Sequence, residues 1–472
     1  MDEAFLQDKM VAIARNNPKM RYLQALLSQV FADPKVQLAM RHDLASPASQ
    51  ADWNGRPAIP MVVTGSLAIL RRIMGWGYRT VAEEVDGHAG WRWVCGLYFQ
   101  PMPNFRTLQA REAKLRPATL RLLHKYVVQL GEAWGVTTAA RLRMDSTVTE
   151  TNIHYPTDSS LLNDAARVLS RLIRAARNIV KPASSVEKAW FRDRHRQAKR
   201  LARQIGYAAR KTLKNGPKIS PKLYARLIGL VAQLLEQVEY VQLRLAKSKS
   251  VLALQLQAAL QSYQPLVEKV VSQARQRILN GQSVAAQDKV VSLFEPQTAV
   301  IKRGKAKPKE TEFGCKVWYT EVDGGLIAEY RLLHGNPPDA EQVIPSVKYH
   351  RRLFGRAPRE ITGDRGTYSP ENEQAAHALG VKRVGLPHRG HKSARRKKHE
   401  RQPWFRAALR FRNGIEGRIS QLRRARKLSR CLNHGWAGLE RWVGWGVVAN
   451  NIAVIVSKLV RRRASLKTLL SS

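Results

Sequence analysis

The hydrophobic pattern of this chain changes its period twice, and these changes predict a β-sheet that is interrupted by a block of helices. Residues 139–148 form a short apolar run around a single acid, which is typical of a buried strand. Between about residues 160 and 280, apolar side chains recur every three or four positions, as in long amphipathic helices. From residue 312 an alternation of period two returns, so the sheet is expected to resume there.

The region after residue 312 predicts a hairpin followed by alternating helices and strands. Asp323-Gly324-Gly325 separates two strand-like runs, and a turn sequence of this kind favours a tight reversal. Counted from the strand around Asp145, the predicted order is βββαβαβα with a helical insertion after the first strand. The predicted elements are strands over 312–320 and 326–332, a helix over 339–354, a strand ending at 364, a helix over 370–379, a strand over 381–386 and a helix over 403–430.

The length of the chain, 472 residues, is enough for two to four domains. Breaks at 181–182, 215–217 and 280–281 predict about four helices in the insertion, and the basic stretch 302–309 reads as a linker. Five segments are predicted: a helical lead-in (1–55), an α-helical N-terminal domain resembling a helix-turn-helix module (56–135), the first strand of an α/β core (136–158), a large all-α insertion (159–290), and the rest of that core with a C-terminal helix (291–472).

The charge balance indicates a polyanionic partner. The chain has 81 Lys and Arg residues against 36 Asp and Glu residues, a formal net charge of +45. Such an excess attracts a phosphate backbone, and because the basic residues run along the whole length, nucleic acid is favoured over an anionic membrane. Arg71, Arg72 and Arg79 could face phosphates, unless their segment is only a packing domain. Residues 192–214 are predicted to form a helix that is basic nearly all round.

The cysteines and the apolar stretches predict a soluble cytoplasmic protein. Cys95, Cys315 and Cys431 lie far apart without a C-x-x-C pair, which indicates a reducing compartment and argues against a zinc site. Met1-Asp2-Glu3 begins acidic and leads into no apolar run of the signal-peptide type, so no signal peptide is expected. The most apolar stretch, 443–460, is short for a membrane span and contains two asparagines, so a buried helix is predicted.

Three acids lie in basic surroundings and form the candidate site: Asp145, Asp364 and Glu416. Two carboxylates about 4 Å apart repel by about 1 kcal/mol in water and by more in a partly dry cleft. A hard cation such as Mg²⁺, which prefers oxygen ligands, offsets that repulsion. As an alternative to metal binding, the two aspartates could be ordinary turn residues. Glu416 could be an ion-pair partner of Arg412, and Glu400 is then the next candidate for the third metal ligand.

These motifs resemble the DDE transposases of bacterial insertion sequences, in the branch whose helical insertion follows the first catalytic strand. The resemblance covers nearly the whole chain, since the segment around Tyr78-Arg79-Thr80 is similar to the N-terminal domain of that family. It rests on Met144-Asp145-Ser146-Thr147, Thr151-Asn152-Ile153-His154-Tyr155-Pro156-Thr157-Asp158, Glu312-Phe313-Gly314 with Lys316-Val317, Gly363-Asp364-Arg365-Gly366-Thr367-Tyr368, Arg412 with Glu416, and Asn450-Asn451.

The resemblance implies a ribonuclease-H-like catalytic core in which Asp145, Asp364 and Glu416 are the catalytic triad that binds two Mg²⁺ ions, with Mn²⁺ as a substitute. The family signature on the last helix has Tyr where this chain has Leu409 and Lys where it has Arg423. Expected phosphate-binding residues are Arg412, Arg423, Arg79 and the run Arg395, Arg396, Lys397 and Lys398.

The activity implied is DNA cleavage at terminal inverted repeats followed by joining of the freed 3′-OH to target DNA. The implied partner is double-stranded DNA, both element ends and target, and a homodimer or higher assembly is expected because two ends must meet. His154, Tyr155 and Asp158 either shape the site or make turns. Two alternatives remain open: a structure-specific nuclease of the same fold, and an inactive DNA-binding relic of a transposase.

Overall fold

The computed structural model describes residue 12 and residues 16–45, 59–211, 220–302 and 311–471. The chain divides into two compact units, here called the sheet unit (residues 1–150 and 316–472) and the helical unit (residues 151–315). The helical unit is wider than the predicted insertion, 159–290. The predicted break at 215–217 and most of the predicted linker at 302–309 lie outside the described residues, as do residues 46–58.

Helices occupy the described part of the chain before the first strand. Asn17 and Asp33 cap the first two of them through their side-chain oxygens, each with a proline at the next position. Gly75 ends the third in the left-handed region, with φ 72°, a conformation that favours glycine at a helix C-terminus. The helices are α1 (Pro18–Ala32), α2 (Pro34–Leu44), α3 (Met61–Met74), α4 (Tyr78–Asp86), α5 (Ala89–Val94), α6 (Phe105–Lys114) and α7 (Pro117–Ala133).

The helical unit contains four long helices and one short one in its described residues. Their apolar faces form one core, separate from the core of the sheet unit. A strand that the sequence did not predict pairs antiparallel with residues 311–314. The elements that follow β1 (Arg141–Glu150) are α8 (Asp158–Val180), α9 (Ser185–Ala189), α10 (His195–Lys211), α11 (Pro221–Leu245), α12 (Val251–Ala274) and β2 (Ala299–Lys302).

The remaining elements follow the predicted order, with one additional helix where a basic loop was expected. The predicted hairpin is confirmed, and Gly324 and Gly325 both have φ near 86°, a conformation that favours glycine. The elements are β3 (Thr311–Val322), β4 (Ile327–Leu333), α13 (Ala340–Phe354), β5 (Glu360–Thr362), α14 (Pro370–Ala378), β6 (Arg383–Gly385), α15 (Ala394–Glu400), α16 (Pro403–Ala425) and α17 (Gly435–Ser471).

The sheet unit is built on a mixed sheet with the strand order β4-β3-β1-β5-β6. β3 and β4 are antiparallel, whereas β1, β5 and β6 are parallel neighbours. The strand that carries Asp145 and the strand that ends two residues before Asp364 are therefore neighbours in the sheet. The mixed α/β architecture agrees with the predicted fold class.

A buried ion-pair network fixes α16 on this sheet. Glu321, on β3, is fully buried and forms ion pairs with Arg143 of β1 at 2.7 Å and with Arg418 of α16 at 3.1 Å. Arg143 also donates to the carbonyl of Phe411 at 2.6 Å. A side chain at Gly414 would collide with the guanidinium of Arg143, so the glycine permits this close approach of helix and strand.

The C-terminal helix α17 packs against α7, α3, α1 and β4. It is the one helix in the described part of the chain that is long and apolar enough to cross a membrane, and 72% of its most apolar stretch is buried inside the protein. The prediction of a buried helix over 443–460 is confirmed. Asn451 accepts from the backbone N–H of Ile327 at 2.9 Å and donates to its carbonyl at 2.8 Å, so the helix holds strand β4 by two buried hydrogen bonds.

Two predictions about basic residues were wrong. Arg71 and Arg72 are buried: Arg71 forms an ion pair with Glu112 at 2.8 Å, and Arg72 lies over the ring of Trp442 at 3.8 Å, so neither faces solvent. Burial lowers the pKa of Arg72 to about 10. Helix α10 is not basic all round, because Ala198, Leu201 and Ile205 are buried on one face. The aliphatic part of an arginine side chain packs well on apolar surface. The sequence pattern alone did not show which arginines are buried in this way.

The asparagine contact between α17 and β4 is predicted to be a main stabilising interaction of the sheet unit. We expect Asn451→Ala to lower the free energy of unfolding by about 2–4 kcal/mol, because it leaves the buried N–H of Ile327 without a partner. Urea unfolding followed by circular dichroism measures this loss. Ser457→Ala, an exposed position on the same helix, is the control and should cost less than about 0.5 kcal/mol. Equal losses in both variants would contradict the assignment.

Candidate metal centre

The parallel register of β1 and β5 brings two of the predicted acids together. Arg143 of β1 is the partner of Thr362, the last residue of β5. Asp145 lies two residues further along β1, and Asp364 lies two residues after the end of β5, in the turn that follows it. Successive side chains on a strand point to opposite faces, so residues at equivalent positions share a face. The two carboxylates therefore meet at one edge of the sheet.

A third carboxylate, which the sequence did not predict, completes the cluster. Asp339 precedes α13 directly. Asp145, Asp339 and Asp364 each offer one carboxylate oxygen, and these atoms lie within 4.8 Å of one another. All three residues are half-buried. The local sequence Pro337-Pro338-Asp339 resembles any helix start, so only its position beside β1 distinguishes this aspartate.

Hydrogen bonds from the strands hold the three acids. The backbone N–H of Ser146 donates to Asp145 at 2.7 Å, and its hydroxyl donates to Asp339 at 3.1 Å. Lys316, on β3, lies 2.8 Å from the other oxygen of Asp339. Asp364 accepts from the N–H of Gly366 at 2.9 Å, as in a tight turn after a strand. The positions of the carboxylates are thus set by β1, β3 and the turn after β5.

The electrostatics of the cluster favour a bound cation. Burial raises the pKa of Asp145 to about 6, and the negative charges of Asp364 and Asp339 act in the same direction. Arg412 and the N–H of Ser146 oppose this shift, but they do not cancel it. Three converging carboxylate oxygens match the ligand preference of Mg²⁺ and Mn²⁺. The donor set therefore fits a divalent metal ion.

Glu416 lies beside this cluster rather than in it. Arg412, one helical turn earlier on α16, forms ion pairs with Asp145 at 3.1 Å and with Glu416. Glu416 is 64% exposed and is not among the three acids whose oxygens converge in the described residues. The structure thus brings together two of the three predicted ligands. Arg412, predicted to bind phosphate, joins the third to the site, because an i,i+4 pair places opposite charges side by side.

No protein-family model, curated protein or solved structure matches the chain. The chemistry of the centre therefore rests on its own residues. Glu400, the alternative candidate ligand, accepts from Lys392 and Arg396 and from the N–H of His388 at 2.9 Å. These contacts tie the loop before α15 to that helix, and Glu400 is not one of the converging acids in the described residues.

The predicted phosphate-binding residues have different environments. Arg396 is largely buried and pairs with Glu373 at 2.7 Å and with Glu400 at 3.0 Å, which makes it a structural residue. Arg423 is half-buried on α16. Arg395, Lys397 and Lys398 are exposed on α15, and Arg79 is exposed on α4, over the ring of Phe105 at 4.9 Å. Of the seven predicted phosphate-binding residues, Arg395, Lys397, Lys398 and Arg79 are therefore the ones that are exposed to solvent.

The polar residues that follow β1 belong to the helical unit. His154 pairs with Asp164 at 2.8 Å, and Asp158 pairs with Arg277 at 2.8 Å. Tyr155 is 77% exposed and touches Phe313 edge to face. His154 and Asp158 therefore contribute contacts within their own unit.

The raised pKa of Asp145 predicts that its charge destabilises the metal-free protein. Above about pH 6 the carboxyl is ionised in both the folded and the unfolded state, and burial makes its charge costly in the folded state, whereas below about pH 4 it is largely protonated in both. We expect Asp145→Asn to raise the free energy of unfolding by about 1–3 kcal/mol at pH 8 in EDTA and to have no effect near pH 4. Denaturant titrations at both pH values measure this. A loss of stability at pH 8 would mean that the attraction of Arg412 outweighs burial.

The ion pair of Arg412 predicts competition with a metal ion. Arg412→Gln removes a positive charge 3.1 Å from Asp145, so the affinity of the centre for Mn²⁺ should rise by about tenfold in the absence of DNA. Isothermal titration calorimetry measures the change. Arg410→Gln, an exposed position on the same helix, is the matched control and should leave the affinity unchanged. A fall in Mn²⁺ affinity on Arg412→Gln alone would show that the arginine orients the ligands instead.

Proposed function

We propose that this protein is a DDE-type DNA transposase of an insertion sequence, which cleaves DNA at the element ends and joins the freed 3′-OH to target DNA. The observation that carries the proposal is the convergence of Asp145 on β1, Asp364 just after the neighbouring parallel strand β5 and Asp339 at the start of α13, in a strongly basic chain. Paired carboxylates at such an edge are suited to metal-assisted attack on a phosphodiester. The basic surface supplies attraction for DNA.

The strand order supports a ribonuclease-H-like core as part of the proposal. An antiparallel β3–β4 hairpin lies beside β1, two parallel strands follow on the other side, and α16 packs against β1 and β5. This is the arrangement that the resemblance to DDE transposases implies, with the helical unit inserted after β1. Fold-level analogy of this kind carries less weight than the geometry of the site.

In the proposed reaction, Asp145, Asp339 and Asp364 hold divalent ions, Mg²⁺ or Mn²⁺, at the sheet edge. When bound, such ions supply activation of a water or a 3′-hydroxyl and stabilise the leaving oxygen of the phosphodiester. Ser146 and Lys316 keep Asp339 oriented toward Asp145. Arg412 is positioned to exchange a carboxylate for a DNA phosphate, since a guanidinium binds both in the same bidentate way.

Asp339 and Glu416 have separable roles in this proposal. Asp339 is the third ligand that the geometry favours, and Glu416 is the one that the resemblance implies. Asp339→Asn should lower metal affinity in the absence of DNA. Glu416→Gln should leave that affinity nearly unchanged and act only on cleavage, because its side chain is largely exposed.

Cleavage and joining of a labelled element-end duplex in Mg²⁺ test the proposal directly. We expect strand-transfer products from the wild-type protein and at least about a 100-fold lower rate from Asp364→Asn, which preserves the shape of the side chain but removes its charge. Exposed Arg410→Gln is the control for protein quality. Cleavage without joining would favour a structure-specific nuclease. Tight DNA binding without metal-dependent cleavage would favour an inactive DNA-binding relic.

A further inference from the structure

The helical unit carries an exposed basic stripe that the metal centre does not use. Arg196, Arg200 and Arg203 of α10 are exposed, and their spacing of four and three residues places them on one face of the helix. The opposite face carries the buried residues Ala198, Leu201 and Ile205. These three arginines therefore point away from the core of the helical unit.

An exposed aromatic side chain extends the stripe by one turn. Tyr207, four residues after Arg203, lies on the same helix face and is 67% exposed. An exposed tyrosine contributes no core packing. Beside guanidinium groups it offers a hydroxyl and a ring face to a sugar-phosphate chain.

A neighbouring helix adds further cations to the same unit. α8 packs against α10. Its exposed Arg171 and Arg174 are three residues apart on one face, and Arg174 forms an ion pair with Asp193, just before α10, at 3.6 Å. This contact places the exposed edge of α8 next to the start of α10. The exposed cations of the two helices are here called the α8–α10 face.

Within the described part of the chain, no carboxylate forms an ion pair with Arg196, Arg200 or Arg203 of the stripe on α10. By contrast, Arg143 and Arg396 in the sheet unit are held by buried or half-buried acids. Like charges one helical turn apart destabilise a helix slightly, so the stripe does not serve folding. An external polyanion is the partner that would neutralise it.

We propose that the α8–α10 face binds the phosphate backbone of double-stranded DNA without regard to sequence, and holds a part of the duplex that is distinct from the reacting phosphodiester. Arg196 to Arg203 spans about 10 Å along the helix, a length over which a duplex carries about six phosphates. The choice of DNA as the polyanion rests on the proposed function. A membrane-bound helix needs an exposed apolar face beside its basic one, and the apolar face of α10 is buried in the helical unit.

DNA binding by the full chain tests the proposal. The variant carries Arg196→Gln, Arg200→Gln and Arg203→Gln, and the probe is a labelled duplex of random sequence, about 30 base pairs long, titrated in EDTA from 50 to 200 mM KCl. We expect the affinity to fall by at least about tenfold at 100 mM salt. The slope of log affinity against log salt should shrink by about 2–3, since about three counter-ion-releasing contacts are lost.

The matched control removes the same charge elsewhere in the same unit. Lys247, Lys249 and Lys269 are exposed outside α8 and α10, and their triple Gln variant should change the affinity by less than about twofold. Equal losses in both triple variants would overturn the proposal in favour of a non-local charge effect. An unchanged salt slope in the α10 variant would also overturn it. The proposal would likewise be overturned if the α10 variant lost binding to vesicles containing phosphatidylserine but kept its affinity for DNA.

One further variant and the presence of EDTA keep this outcome separate from folding and from catalysis. Replacing the three arginines by lysine retains the charge and should restore most of the salt slope, which a merely misfolded variant would not do. Because the titrations contain EDTA, a metal-dependent reaction does not contribute to the measured affinity. If the wild-type chain neither cleaves nor joins DNA while the α10 variant still loses affinity, the proposed function fails and the DNA-binding face stands.

Discussion

The parallel pairing of β1 with β5 determines where the candidate metal centre lies in this protein. It is the contact that sets Asp145 opposite Asp364, two carboxylates that are far apart in the sequence. Once they share an edge of the sheet, Asp339 joins them from the start of α13, and burial and repulsion together raise the pKa of Asp145. A folded chain that keeps such repulsion in place gains from a cation that relieves it.

A small number of acidic residues position the arginines around that edge of the sheet by forming ion pairs with them. Glu321 ties β1, β3 and α16 together, and by fixing α16 it also sets the position of Arg412. Arg412 then serves as counter-charge for Asp145 and Glu416 at once. Arginines paired with buried acids, such as Arg143, therefore fix the elements of the sheet unit. Arg200 on α10 is exposed and forms no ion pair with an acid in the described part of the chain.

The helices and strands and their order along the chain were largely predictable, because each element depends on the local periodicity of apolar residues. The hairpin around Gly324, the buried helix α17 and the order of strands after the insertion are as the pattern predicted. β2 was missed because four residues carry too little pattern to indicate a strand. Arg71 and Arg72 were misassigned to the surface, because charge in a sequence does not reveal whether a partner such as Glu112 lies opposite.

The sequence by itself determined the elements, the insertion after the first strand and the two aspartates at strand ends, since hydrophobic period and turn chemistry are local properties. Only the tertiary structure decided which acids converge. In the structure Asp339, whose sequence context is that of an ordinary helix start, is one of the converging acids. Glu416 lies outside the cluster and contacts Arg412, which in turn contacts Asp145. The physical reason is that a metal centre depends on distances between side chains from separate elements, and those distances are set by strand register and helix packing.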